Sequence, residues 1–305
     1  MQRYIIRRLF QGLIVLLGIS IIVFMLIRLS GDPVLLMAGP GATAGQIEQL
    51  RETLGLTEPI YVQYWVFISG VVRGDFGESI LWGKPTLSVF LTRLPNTLLL
   101  AAGASVWAYS IGIVVGVLTA VKVGTWFDNF GKIFALMGQA LPVFWVGIML
   151  ILIFSVHLRW FPSSGMGSLH NLVLPSFTLG WFFCAAITRM TRSAMLDVLD
   201  SEYIKMARIK GVPEKRVIMK HAFKNASIPV ITLGSMQLVF MVMGTVLTET
   251  VFNWPGVGRL VVDSIFSRDY PMIQTCVLIF ASIYVFVNLA VDVAYAYIDP
   301  RIRYD

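Results

Sequence analysis

Long apolar runs are the feature that leaves this chain the fewest possible folds. A helix needs about 20 mostly apolar residues to cross the hydrocarbon core of a bilayer. Six stretches are read as spans: residues 9–29, 98–121, 133–156, 172–187, 228–247 and 272–297. The fourth is the weakest, because Pro175 and Ser176 interrupt it. Backbone polar groups find no water in hydrocarbon, so each span must be helical. Composition agrees with this reading. Only 13% of the 305 residues are charged, against about 25% in an ordinary soluble domain, too few to coat a soluble fold of this size. The expected fold class is an all-α polytopic membrane protein with six transmembrane helices.

Charge sets the orientation. Arg3, Arg7 and Arg8 precede the first apolar run, as in a signal peptide. The run is too long for a signal core, and a turn (Ser30-Gly31-Asp32-Pro33) follows where a small-residue cleavage site would be needed. An uncleaved first span with its basic end inside is therefore expected. Six spans then put both termini in the cytoplasm. Sixteen of the 24 basic residues fall in the segments assigned inside, although the outside segments are longer. That is the bias of the positive-inside rule.

The largest outside segment, 30–97, holds two helical patterns. Thr43 can cap residues 46–52, which end near Gly55. Pro59 suits the first turn of a second helix over 60–72, rich in Tyr61, Tyr64, Trp65 and Phe67. These aromatics suit a membrane interface, and equally a small packed outer subdomain.

The largest inside segment is 189–225. Asp200 or Ser201 can cap a short helix, with Glu202 favoured in its first turn. The helix runs to Lys210 and stops at Gly211, and Pro213 opens a second over 214–224. Tyr203, Met206, Ala207 and Lys210 share a face of the first helix. Such a helix can dock in a partner's groove, or lie as a basic loop on anionic headgroups. Spacing alone leaves both open. Cys184 and Cys276 both sit in apolar runs, and His157, His170 and His221 read as loop or loop-edge residues, so no disulfide framework or metal site is expected.

Five segments carry a family resemblance. They are Arg7-Arg8-Leu9 with Gly31-Asp32-Pro33; Gly74-Asp75-Phe76-Gly77 with Ser79; the run from Glu202 to Gly211 followed by His221-Ala222-Phe223-Lys224-Asn225-Ala226 and Pro229; the run from Phe252 to Leu260 with Arg268-Asp269-Tyr270-Pro271; and the tail Asp299-Pro300-Arg301-Ile302-Arg303. In this order they resemble the type I ABC importer permeases over essentially the whole chain, and the peptide/nickel branch most. The third segment resembles that family's EAA loop. Tyr203 replaces the alanine that follows glutamate in the motif's name, and the distance from Gly211 to Pro229 exceeds that of the general motif. Both departures favour the peptide branch.

The resemblance implies a type I importer fold in a bacterial inner membrane. Its parts would be a first span (1–30), a periplasmic segment (31–94), a core (95–297) with a coupling loop (189–226), and a cytoplasmic tail (298–305). It implies a second similar permease, two cytoplasmic ATPases and a binding protein that delivers solute. Glu202, Tyr203, Met206, Ala207, Lys210 and Gly211 would form the helix that docks on an ATPase. No cofactor is expected on this chain, and ATP with Mg would sit on the ATPase subunits. Consistently, no G-x-x-x-x-G-K-[ST] loop is present; Gly131-Lys132 lacks the earlier glycine.

Gln139, Gln237 and Asn288 are candidates to line the path, with interhelical hydrogen bonding the structural alternative. Glu249, Arg259, Arg268 and Asp269 are candidates to contact the binding protein, or they hold the outer loop to itself. Asp292 lies in the last span, seven residues before Asp299, and is read as functional or as an inner-interface residue. The 14 methionines read as packing residues. A secondary transporter would show internal repeats, and an intramembrane enzyme a mid-span nucleophile; neither pattern is found. Solutes of the branch include dipeptides, oligopeptides, glutathione-like peptides and nickel. The short chain, with its compact outer loop 157–171, leans toward a glutathione or dipeptide system.

Overall fold

The computed structural model describes the backbone of residues 2–30, 34, 38, 41–53 and 55–298, and side chains within 6–29, 34, 38, 41–53 and 55–290. The Gly31-Asp32-Pro33 turn, the Asp292 side chain and the tail from Asp299 lie outside these described residues. Among the described residues the elements are helical. In chain order they are α1 (Gln2–Ser30), α2 (Ala44–Thr53), α3 (Ile60–Val72), α4 (Thr86–Val121), α5 (Trp126–Ala140), α6 (Val143–His157), α7 (Leu169–Leu199), α8 (Glu202–Ile209), α9 (Glu214–Met243), α10 (Thr245–Val251), α11 (Val257–Phe266) and α12 (Tyr270–Ile298).

Five helices (α1, α4, α7, α9 and α12) are long and apolar enough to cross a membrane, and α5 with α6 makes a sixth if the bent pair is one span. That pair is the first departure from the sequence reading, which expected one straight helix over 133–156. α5 and α6 meet at 106°. Pro142 explains the break. It forces Leu141 out of the helical region to φ −87°, ψ 131°. The second departure is α7. Pro175 and Ser176 were read as weakening it, yet 61% of its apolar window is buried, against 28–33% for the other four single-helix spans. Both residues are buried inside the helix. The Ser176 hydroxyl donates to the Val173 carbonyl and accepts from Trp107 Nε1, so α4 meets the polar group that lipid could not. The third departure is α9. The expected separate helix over 214–224 is the start of the span itself, joined through a π-helical segment at Val217–Ala222.

The chain divides into two compact units, residues 1–95 with 259–305, and residues 96–258. In the first, α1 packs along α12, and Gly12 lets Val285 approach so closely that a Cβ would meet it at 2.6 Å. α3 lies against α1 through Tyr64, 2.8 Å from the Ser20 hydroxyl, and through Gln63, which accepts from Arg28 at 2.6 Å. In the second unit α7 is the central element, packed by α5, α6 and α9. Glycines bring α4 against α7. A Cβ on Gly112 would meet Ile187, one on Gly116 would meet Thr191, and one on Gly180 would stand 2.6 Å from the Ala104 carbonyl. Without a hydrophobic force between helices in lipid, such small-residue contacts carry the packing.

Sidedness can be checked directly. Cysteines placed at Gln49 and Gly167, both exposed, should react with an impermeant thiol reagent on intact cells. One at Lys215 should react only after the membrane is opened. Background should be low, because Cys184 and Cys276 are buried. Labelling of Lys215→Cys in intact cells would reverse the topology.

Candidate functional site

The short helix α8 stands between two spans, α7 and α9. Its eight residues divide sharply by environment. Ile204 is fully buried among Ala120, Met195, Val217, Ala222 and Ala226, and Ala207 and Val212 lean on the same cluster. Tyr203 and Met206 remain 46% and 52% exposed, and Lys210 is exposed too. One apolar anchor therefore fixes the helix to the spans and leaves three of the four expected face residues open, with Ala207 half-buried.

Both ends are held, the first not as the sequence suggested and the second as it did. Ser201 takes the N-cap position but makes no capping hydrogen bond; its hydroxyl donates to the Val198 carbonyl instead. Asp200 pairs with Lys205 at 3.3 Å, and Glu202 with the same ammonium at 3.0 Å. These contacts raise the Lys205 pKa, the hydrogen bond to Glu202 most. At the other end the N–H of Val212 donates to Ala207, and that of Gly211 to Arg208. This is the Schellman arrangement, and Gly211 supplies its left-handed residue at φ +76°. Arg208 then reaches Glu214 across the turn at 2.8 Å, which raises the guanidinium's pKa. Tyr203 is latched as well. Its hydroxyl donates to the His221 carbonyl and accepts from Asn225 Nδ2 at 2.7 Å. His221 lies in the π segment of α9. The helix is thus tied to both neighbouring spans, with Tyr203, Met206 and Lys210 left open to a partner.

The candidate path residues are spread. Gln139, at the exposed end of α5, accepts from Arg189 Nη1 at 2.7 Å. Gln237 is half-buried on α9, and its Oε1 is shielded from solvent with no hydrogen-bond partner among the described residues. Asn288 belongs to the other unit, where it lines a cavity of about 250 Å³ with Arg8, Gln11 and Tyr284.

Of the four outer-loop candidates, two have no accessible surface. Glu249, at the end of α10, is fully buried and accepts from the Thr97 hydroxyl at 2.7 Å. Thr97 accepts in turn from the Val257 N–H. Beside it, Asn96 donates to the Pro255 carbonyl and accepts from Trp254 Nε1. Gly256 is pressed onto the Glu249 carboxylate, so close that a Cβ would overlap it, and a Cβ on Gly258 would meet the Val246 backbone at 2.7 Å. Asp269 is also fully buried. It accepts from the Ser79 hydroxyl and the Leu81 N–H, and caps α12 through the Met272 N–H. Both carboxylates thus hold the outer segments to their own units. Arg259 is half-exposed beside Asp263, and Arg268 is exposed at φ +54°. The sequence reading missed Thr97 and Asn96 entirely, since a partner some 150 residues away leaves no local pattern. It also missed Gly112-x-x-x-Gly116, which small-residue spacing does make legible.

The family described as binding-protein-dependent transport system inner membrane component matches residues 112–304, and its N-terminal counterpart matches residues 1–101. The chain belongs to this family. It is 43% identical over 305 residues to the glutathione transport system permease protein GsiC of Escherichia coli strain K12, and 42% identical to that of Salmonella paratyphi A, with all of each chain covered in both cases. Among solved structures, the inward-facing MetNI methionine ABC transporter matches with a TM-score of 0.57 at 18% identity, over 70% of this chain and 97% of that one. An amino acid ABC transporter matches at 0.55 and 12% identity, over 76% and 98%. These two establish the type I importer fold. The permease is therefore a multi-pass inner-membrane subunit of an ABC importer. It is a transport component rather than an enzyme, and it works with an ATPase and a binding protein.

Proposed function

We propose that the permease pairs with a second, similar permease to form the path for glutathione or a short peptide, and that two ATPases, holding ATP and Mg, drive it through α8. Full-length identity of 43% to a glutathione permease carries the solute reading. The tethered, exposed α8 supports the coupling reading, with Tyr203, Met206, Ala207 and Lys210 as the docking face and Gly211 as its stop. Gln237 is the path candidate with most in its favour, because among the described residues its carbonyl oxygen has no partner to hold it. Arg259 and Arg268 remain surface candidates for the binding protein.

Reconstitution tests this. The permease alone in liposomes should show neither ATPase activity nor uptake. Adding the partner permease, ATPases and binding protein should restore both, with labelled glutathione accumulating against its gradient. Uptake of nickel instead would replace the peptide reading. Uptake by the permease alone, driven by an ion gradient, would replace the ABC reading.

A further inference from the structure

A pocket of about 430 Å³ opens between α4, α5 and α7, where α4 ends and α5 begins; Leu196 on its wall also packs on the cluster that anchors α8. Its floor is apolar, made by Gly131, Ala135 and Leu136 of α5 and Leu196 of α7. Its rim carries Lys132, Arg189 and Arg192, with Asp197 as an exposed carboxylate on the same rim. The acid beneath them, Asp128, is only 1% exposed and already spent. It accepts from Lys132 at 2.8 Å, from Arg192 at 3.0 Å and from the Gly124 N–H at 3.2 Å. Among the described residues Arg189 forms no ion pair; its hydrogen bond is to the Gln139 amide oxygen.

The pocket opens at headgroup depth and reaches inward to Arg189 and Leu136, each about 15 Å from its helix end. Thr119, on its wall, is two residues from the end of α4, about 3 Å along the axis. Gly131 is five residues into α5, about 8 Å. On the same end of α5, Trp126 and Phe130 are 66% and 58% exposed, and Lys122 sits over the Phe127 ring. Exposed aromatics and snorkelling lysines of this kind mark a bilayer interface. By the charge bias, this is the cytoplasmic one.

We propose that this pocket seats one anionic phospholipid of the inner leaflet, its phosphate on Arg189 with the free N–H groups of Arg192 and Lys132, its upper acyl chain on the apolar floor. A cationic rim over an apolar floor fits an amphiphile. A hydrophilic peptide would leave the floor unused, and a neutral lipid would leave the rim unused. Basic pockets between spans on the cytoplasmic side bind anionic headgroups for the same reason. The lipid would brace α5 against α7 beside the loop that leads to α8. The inference does not depend on which solute is carried.

The test uses the assembled importer, stripped of lipid in detergent and titrated by native mass spectrometry with phosphatidylglycerol or phosphatidylcholine. Phosphatidylglycerol should bind preferentially. Arg189→Gln, which leaves the Asp128 cluster intact, should weaken that binding about fivefold, the effect of one basic residue at a membrane surface. Leu136→Trp, which fills the floor without changing charge, should weaken it too. In the unmodified importer, a photoactivatable phosphatidylglycerol should crosslink to peptides of α5 and α7, so the proposal stands or falls even if a variant misfolds. Equal binding of both lipids, unchanged affinity in both variants, or no crosslink on these helices would overturn it. So would displacement by glycerol phosphate, which would mark a simple anion site, or by the transported peptide, which would mark a solute site.

Discussion

Gly211→Val is expected to leave the permease inserted in the membrane at normal level while ATP-driven uptake falls to a small fraction of normal. Gly211 holds φ +76°, and a Cβ added there would meet no atom within 4 Å. The substitution therefore brings no clash, only the strain of a left-handed residue with a side chain, about 1 kcal/mol and more for a β-branched one. That strain falls on the turn that sets the angle between α8 and α9. Relief by rotating out of the left-handed region would break the two turn hydrogen bonds from Gly211 and Val212. The face carrying Tyr203 and Met206 would then no longer meet its partner. Gly211→Asn, which tolerates the conformation, should be milder. The headgroup reading of the same loop expects the reverse: both substitutions nearly silent, and loss only when Lys205, Arg208 and Lys210 are replaced together. Co-purification of the ATPase and uptake by the three variants separate the two. Normal uptake by Gly211→Val at normal expression would end the coupling proposal.

A substitution at Gly180 should act in the opposite way, by removing the protein rather than uncoupling it. A Cβ there would stand 2.6 Å from the Ala104 carbonyl and 2.9 Å from the Trp107 Cβ. The nearest obstacle is backbone, so α4 and α7 must move apart. Overpacking of this kind costs about 1–3 kcal/mol, occasionally more. Gly180→Ala should lower the yield of folded permease and its melting temperature, and Gly180→Leu should nearly abolish it. Gly18→Ala is the matched control, because nothing lies within 4 Å of that position. Wild-type yield and melting behaviour in Gly180→Leu would show that the α4–α7 contact is not what holds the second unit together.

Much was legible from the residues because it depends on local chemistry. Apolar length sets span number, since hydrocarbon thickness is fixed. The helix ending at Gly211 was readable from a glycine placed after a periodic run, and the Schellman turn forms there. Thr43 caps its helix as its position suggests, and Gln46 bonds back to the Thr43 N–H. The break at Pro142 was equally local and could have been read from the pre-proline restriction alone. Apolar count over the whole window concealed it.

The rest was decided by partners distant in the chain. Nothing local shows that Glu249 is buried on Thr97, or Asp269 on Ser79, and sequence reading accordingly left both carboxylates open between a partner contact and holding the outer loop to itself. Pro175 and Ser176 look like defects in a lone span, yet α4 supplies Trp107 to make them the centre of a buried one. The physical reason is common to all three. The bilayer tells a segment to be helical and apolar, and it does so residue by residue. Which polar groups may lie within it depends on whether another helix brings a hydrogen-bond partner, and only the packed chain supplies that.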